Sequence, residues 1–214
     1  MIKISPSILS CDFSALGQDI EKAEKGGAEY LHIDVMDGVF VPNISFGAPV
    51  QKCIRPKSKT VFDTHLMIID PIRYIEDFVK AGSDIITIHL ESCDNVAETL
   101  DKIHSYGIMA GLSIKPKTPV SAIKDYIGKF DMLLIMSVEP GFGGQSFMPI
   151  ALDKIREARQ LLPDLDIEVD GGIGENNISD VVKAGANVIV AGSAVFGKKD
   201  VEKAISTLRE NAEK

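Results

Sequence analysis

Four short stretches place imidazoles and carboxylates where a folded chain ordinarily puts hydrocarbon. They read Leu31-His32-Ile33-Asp34-Val35-Met36-Asp37-Gly38, Asp63-Thr64-His65-Leu66-Met67, Thr87-Ile88-His89-Leu90-Glu91 and Ile167-Glu168-Val169-Asp170-Gly171-Gly172. Each sits in an apolar, β-branched run, and strand side chains alternate from face to face with period two. His32, Asp34 and Met36 therefore share a face, as do Asp63, His65 and Met67, and as do Glu168 and Asp170. Burying a carboxylate without a partner is costly. His32, Asp34, His65 and Asp170 are thus candidates to meet. Two imidazoles and two carboxylates suit a divalent metal, Zn²⁺ first, with Fe²⁺, Mn²⁺ or Co²⁺ as alternatives. A metal-free network of buried ion pairs is the bland alternative. Asp34 and Asp170, arriving from distant strands, could flank a ligand, one taking a proton from one face while the other delivers one to the opposite face. A cation beside them would stabilise a developing enediolate, the chemistry of epimerisation next to a carbonyl.

Other residues carry weaker signals. His89 and Glu91 have the parity to reach the same place, either orienting ligands or forming an ordinary hydrogen-bonded pair. His104, near Tyr106-Gly107, reads as a solvated helix-end residue. Met36, Met67 and Met136 all fall near strand ends, as core filler or as an apolar wall around a reactive intermediate. Three glycine-bearing segments follow late strands: Ser137-Val138-Glu139-Pro140-Gly141-Phe142-Gly143-Gly144-Gln145-Ser146, Gly171-Gly172-Ile173-Gly174 and Ala191-Gly192-Ser193-Ala194. Glycine lets backbone N–H groups approach an anion. Each segment alone is an ordinary tight turn, but three in succession point to a phosphorylated small molecule.

The elements that must position these residues alternate along the whole chain. Strands are expected at Lys3–Ile8, Tyr30–Val35, Val61–Leu66, Ile85–His89, Met109–Ile114, Met132–Met136, Asp166–Val169 and Val188–Ala191. Helical periodicity is expected at Phe13–Lys25, Pro71–Ala81, Val96–Tyr106, Ile150–Leu162 and Val201–Asn211, with Asp70-Pro71 as a helix start. Glycine stops follow Ala81, Tyr106 and Ala184. About eight strand–helix units imply a parallel sheet, most simply a single-domain (β/α)8 TIM barrel over residues 1–214. A doubly wound open sheet is the rival. The barrel is favoured because polar residues gather at strand C-terminal ends and no strand pair is blunted as an edge.

Composition narrows the partners. The 214 residues carry a formal net charge of −8, are 45% hydrophobic and 25% charged, and include three scattered cysteines. The acidic balance argues against nucleic acid as a partner. No apolar run is long enough to span a bilayer. Sparse, unpaired cysteines and the lack of a leader-like start imply a cytoplasmic protein.

The motifs resemble those of the ribulose-phosphate 3-epimerase family. The resemblance is carried by Leu31–Gly38 continuing through Phe40-Val41-Pro42-Asn43, by Asp63–Met67, Met136–Gln145, Val169–Ile173 and Val190–Ala194, and by Ser5-Pro6-Ser7-Ile8-Leu9-Ser10. It implies a ribulose-phosphate-binding barrel and the reversible, metal-dependent 3-epimerisation of D-ribulose 5-phosphate and D-xylulose 5-phosphate. The route would be a 2,3-enediolate with two acid/base aspartates, Asp34 and Asp170. His32, Asp34, His65 and Asp170 match the metal ligands. Ser7, His32, His65, Met36, Met67, Met136, Gly141, Phe142, Gly143, Gly144, Gly171, Gly172, Gly192 and Ser193 match substrate-contacting positions. Glu139 stands where many members carry asparagine. A homo-oligomer is also implied. The rivals are an epimerase for another ketose phosphate such as allulose 6-phosphate, a lysine-dependent lyase with Lys115 as its one candidate, and a non-catalytic phosphosugar-binding barrel.

Overall fold

The computed structural model describes residues 2–214. Its strands are β1 (Lys3–Pro6), β2 (Tyr30–Met36), β3 (Val61–Met67), β4 (Ile85–His89), β5 (Met109–Ile114), β6 (Met132–Met136), β7 (Asp166–Asp170) and β8 (Val188–Ala191). All neighbouring strands run parallel, in the order β1-β8-β7-β6-β5-β4-β3-β2. A parallel bridge between Ser7 and His32 joins the two ends of that order. This closure excludes the open, doubly wound sheet and gives a (β/α)8 barrel.

The helices are α1 (Leu16–Lys25), α2 (Ala48–Ile54), α3 (Ile75–Lys80), α4 (Val96–Ser105), α5 (Ile150–Leu161), α6 (Ile178–Ala184), α7 (Ser193–Phe196) and α8 (Val201–Ala212). Several bounds differ from the sequence expectation for local reasons. β1 stops at Pro6 because Ser7 caps a 3-10 turn over Ile8–Ser10 through its side chain. Strands β2, β3 and β7 instead run one residue further than the pattern suggested. α1 starts at Leu16, because Asp12 turns the chain by accepting the Ser14 N–H, and Phe13 packs edge-on against Phe46. The segment expected as Pro71–Ala81 is a 3-10 turn at Pro71–Arg73 followed by α3. Asp70 does not cap it: the residue has φ of 52° and no side-chain bond to the turn. After β5 the crossover is a 3-10 segment, Val120–Tyr126. Gly82, Gly107 and Gly185 take positive φ at helix ends, as read.

Strand alternation builds the core in two shells. Outward-facing Leu31, Ile33, Leu66, Ile86, Ile88 and Ile135 are fully buried against the helix layer. Inward-facing Tyr30, Ile85, Met132 and Val188 form a separate apolar plug at the strands' N-terminal end. Above the plug the interior turns polar, with Ser5, His32, Asp63, Thr87 and Glu168 wholly buried. Room for Thr87 comes from Gly111 on the next strand, where an added Cβ would fall 2.1 Å from Thr87 Oγ1.

Gly111→Ala should therefore overpack the barrel interior and cost about 1–3 kcal/mol, read as a lower urea midpoint at an unchanged slope. Adding Thr87→Ala should recover most of that loss. If Gly111→Ala alone leaves the midpoint unchanged, the packing account fails.

Candidate active site

His32 and Asp34 stand on consecutive inward positions of β2, His65 on β3 and Asp170 at the end of β7. The ring closure carries β7 round through β8 and β1 to β2, which brings Asp170 to a cluster that sequence separates by more than a hundred residues. One ligand atom from each of the four lies within 4.8 Å of the other three. His32 Nε2 is 3.2 Å from His65 Nδ1, and Asp34 Oδ1 is 3.3 Å and 3.2 Å from those nitrogens. Ligand bonds of about 2.0–2.2 Å set neighbouring donors roughly 3.3–3.6 Å apart around a tetrahedral ion. The donor set and its spacing thus fit a divalent cation.

Asp34 and His32 are held from behind. Ser7 Oγ donates to Asp34 Oδ2 at 2.5 Å. His32 Nδ1 donates to Asp63 Oδ2 at 2.7 Å, which turns Nε2 toward the cluster. Glu168 Oε1 lies 3.4 Å from the same Nδ1, and Glu168 is fully buried. Asp63 and Glu168 share the parity of His65 and Asp170, so their position was legible, but their service to His32 needs the barrel to bring β2, β3 and β7 together.

Burial and neighbouring charge push these groups in opposite directions. Burial disfavours a charged His32, but the carboxylates of Asp34, Asp63 and Glu168 outweigh it and raise its pKa well above the ordinary imidazole value. Burial also opposes ionisation of Asp34, yet His32 and His65 hold its carboxyl well below the usual range. Asp170 is pushed up to about 6, by burial first and then by the negative charge of Asp34. Glu168 is raised well above a normal carboxyl by burial and by Asp63.

Above the cluster lies a cleft of about 560 Å³ including its mouth. Asp34 and Asp170 are at its floor, Ser7 and Met36, Met67 and Met136 on its walls. Gly141, Phe142, Gly143 and Gly144 after β6, Gly171 and Gly172 after β7, and Gly192 and Ser193 after β8 complete it. His32 and His65 do not line the cleft; they lie fully buried beneath it. Close approach accounts for glycine at two of these positions in particular. Gly172 has φ of 64°, and a Cβ there would meet Phe147 N at 2.4 Å; a Cβ on Gly192 would fall 2.5 Å from Ser10 Oγ. Leu9, Ser10, Val138, Pro140, Gln145, Ile173 and Val190 also border the cleft and were not singled out as site residues. Asn43 Nδ2 donates to Gly141 O at 3.0 Å, tying the loop after β2 to the loop after β6.

Among the described residues no lysine lines the cleft. Lys115 instead sets its ammonium 3.9 Å from the Phe40 ring centroid, which removes the candidate for lysine chemistry. His104 pairs with Asp131 at 2.8 Å, away from the cluster.

The family model described as ribulose-phosphate 3 epimerase matches residues 3–196. The chain belongs to that family. It is 48% identical over 214 residues to a ribulose-phosphate 3-epimerase of Bacillus subtilis, covering 98% of this chain and 99% of that one. It is 46% identical over 211 residues to a ribulose-phosphate 3-epimerase of Escherichia coli K12, covering 96% and 94%. Among solved structures, a mutant tryptophan synthase alpha-subunit from Pyrococcus furiosus matches with a TM-score of 0.75 at 16% identity, covering 100% of both chains. An orotidine 5'-phosphate decarboxylase from Pyrococcus horikoshii matches with a TM-score of 0.74 at 11% identity, covering 99% of both. At such identities these two share the fold alone.

Cation binding by this epimerase-family chain should release protons, because the ligands bind deprotonated. His32 has a raised pKa, so about one proton leaves near neutrality; Asp170, at about 6, adds a further share as pH falls toward that value. Apparent Zn²⁺ affinity should thus rise with pH, most steeply below about 6. Calorimetry in buffers of different ionisation enthalpy measures the count; zero released protons across pH 5.5–7.5 would refute the ligand set.

Proposed function

We propose that this chain catalyses the reversible 3-epimerisation of D-ribulose 5-phosphate and D-xylulose 5-phosphate, with Asp34 and Asp170 as its acid and base. The observation that carries the assignment is the meeting of these two carboxylates with His32 and His65 at the floor of one glycine-rimmed cleft. Membership of the epimerase family supports the substrate class.

The sugar's carbonyl end would rest on the cluster and its phosphate among Gly143, Gly144, Gly171, Gly172, Gly192 and Ser193, whose backbone can approach an anion closely. A divalent ion held by His32, Asp34, His65 and Asp170, Zn²⁺ by donor chemistry, would supply Lewis-acid stabilisation of the negative charge that develops on oxygen. One aspartate takes the proton from carbon 3. The C–H electron pair becomes the C2–C3 double bond of an enediolate, and the carbonyl oxygen takes up the charge. The other aspartate, protonated at the start, gives its proton to the opposite face of carbon 3. One turnover therefore moves a proton from one aspartate to the other, and the reverse reaction restores it.

The environments suit that exchange. Ser7 and His32 favour an ionised Asp34, whereas burial and the charge of Asp34 raise the proton affinity of Asp170. Met36, Met67 and Met136 present apolar surface beside the reacting carbon and limit water's access to the enediolate. We further propose a cytoplasmic homo-oligomer formed from one barrel unit over residues 1–214. Three free cysteines support a reducing compartment, and among the described residues no helix is long and apolar enough to cross a membrane.

In deuterated water, D-ribulose 5-phosphate should become D-xylulose 5-phosphate carrying deuterium at carbon 3, followed by proton NMR. Asp34→Asn and Asp170→Asn should each lower turnover by at least about 10²–10⁴-fold. Near-native turnover in either variant, with metal still bound, defeats the two-aspartate assignment. No exchange in the folded, metal-loaded protein defeats the substrate assignment.

A further inference from the structure

The second ligand-bearing imidazole is held by a chain of side chains that the reaction steps above do not use. His65 turns Nδ1 into the cluster, and its Nε2 lies 2.8 Å from Nε2 of His89 on β4. His89 Nδ1 lies 3.3 Å from Glu91 Oε2. Glu91 Oε1 accepts the Lys115 N–H at 2.8 Å and also the Thr118 hydroxyl, both from the segment after β5. Both rings are fully buried, 4.9 Å apart and tilted by 31°. Phe40, from the loop after β2, covers His89 at 4.9 Å between ring centroids.

Hydrogen-bond valence sets the direction of each proton. The Glu91 carboxylate offers lone pairs, so His89 Nδ1 must donate to it. A neutral imidazole carries one N–H, so His89 Nε2 must accept. His65 Nε2 then donates, and its Nδ1, 3.2 Å from Asp34 Oδ1, would be free to share a cation with that carboxylate. His32 has the opposite arrangement, with Nδ1 donating directly to Asp63 and Nε2 turned to the cluster.

We propose that His89 and Glu91 are positioning residues that lock His65 in its Nε2–H tautomer and present Nδ1 as a metal ligand. The proposal rests on the metal-site assignment of His32, Asp34, His65 and Asp170. It gives the two ligand imidazoles opposite tautomers, each set by a different carboxylate: Asp63 directly, and Glu91 through one intervening ring. It also ties His65 to the segment after β5, since Glu91 is anchored on Lys115 and Thr118.

The chain has four histidines, so a nitrogen-15 histidine-labelled sample gives an assignable spectrum. In the unmodified, Zn²⁺-loaded protein, His65 should carry its proton on Nε2 and His89 on Nδ1. A proton on Nε2 of His89 overturns the proposal. His89→Leu should weaken Zn²⁺ binding by about 10–100-fold, read by competition with a chromophoric chelator, and should alter the visible spectrum of bound Co²⁺. His89→Gln, whose Oε1 can accept the same hydrogen, should restore most of the affinity. A folded His89→Leu with unchanged affinity and spectrum overturns the proposal. Should that variant not fold, the tautomers of the unmodified protein decide the matter. Failure of the metal assignment itself has a separate signature: the unmodified protein would bind neither ion, and the proposal would fall with it.

Discussion

A closed parallel barrel sends every second strand residue into a dry interior, and any ionisable group placed there must find a partner. That constraint governs the whole upper half of this molecule. His32, Asp34, Asp63, His65, His89 and Glu168 are all buried, and none could be carried in isolation. They interlock instead: Asp63 with His32, His32 and His65 with Asp34, and His89 with His65. Residual cost is still visible, since Asp63 Oδ1 and both Glu168 oxygens have no hydrogen-bond partner among the described residues. A cation would relieve the crowding of negative charge between Asp34 and Asp170, so the site is built to gain from what it binds.

The same crowding separates the two carboxylates in character. Asp34 is surrounded by imidazoles and a hydroxyl; Asp170 faces chiefly burial and the charge of Asp34. Two residues of one chemical type therefore differ in proton affinity, as the proposed removal and return of a proton would require. The apolar plug of Tyr30, Ile85, Met132 and Val188 closes the barrel below, so the polar cluster opens only toward the cleft.

Loops do the remaining work by steric permission. Gly172 and Gly192 sit where a Cβ would strike Phe147 or Ser10, so the segments after β7 and β8 pack closely around the cleft. Asn43 links the segment after β2 to Gly141 across the mouth, while Phe40 lies between His89 and Lys115. Segments far apart in the chain thus meet above one cluster, and each contact is made by a residue that the strand pattern treats as loop.

Much of this was legible in the residues. Period-two alternation placed His32 with Asp34 and Asp63 with His65, and eight apolar runs separated by helical periodicity implied a parallel barrel. Strand existence was clear because a strand buried on both faces writes a near-continuous apolar run. Ends were less clear: Ser7 and Asp12 redirect the backbone through their own side chains, and Asp70 takes a left-handed turn, which no hydrophobic period records. Local sequence determined which side chains face inward, because alternation is a property of the strand alone. Only the tertiary structure decided that Asp170 meets Asp34, that Glu168 stands behind His32, and that His65 reaches Glu91 through His89. Those contacts depend on ring closure and strand register, which are set by the packing of all eight strands together.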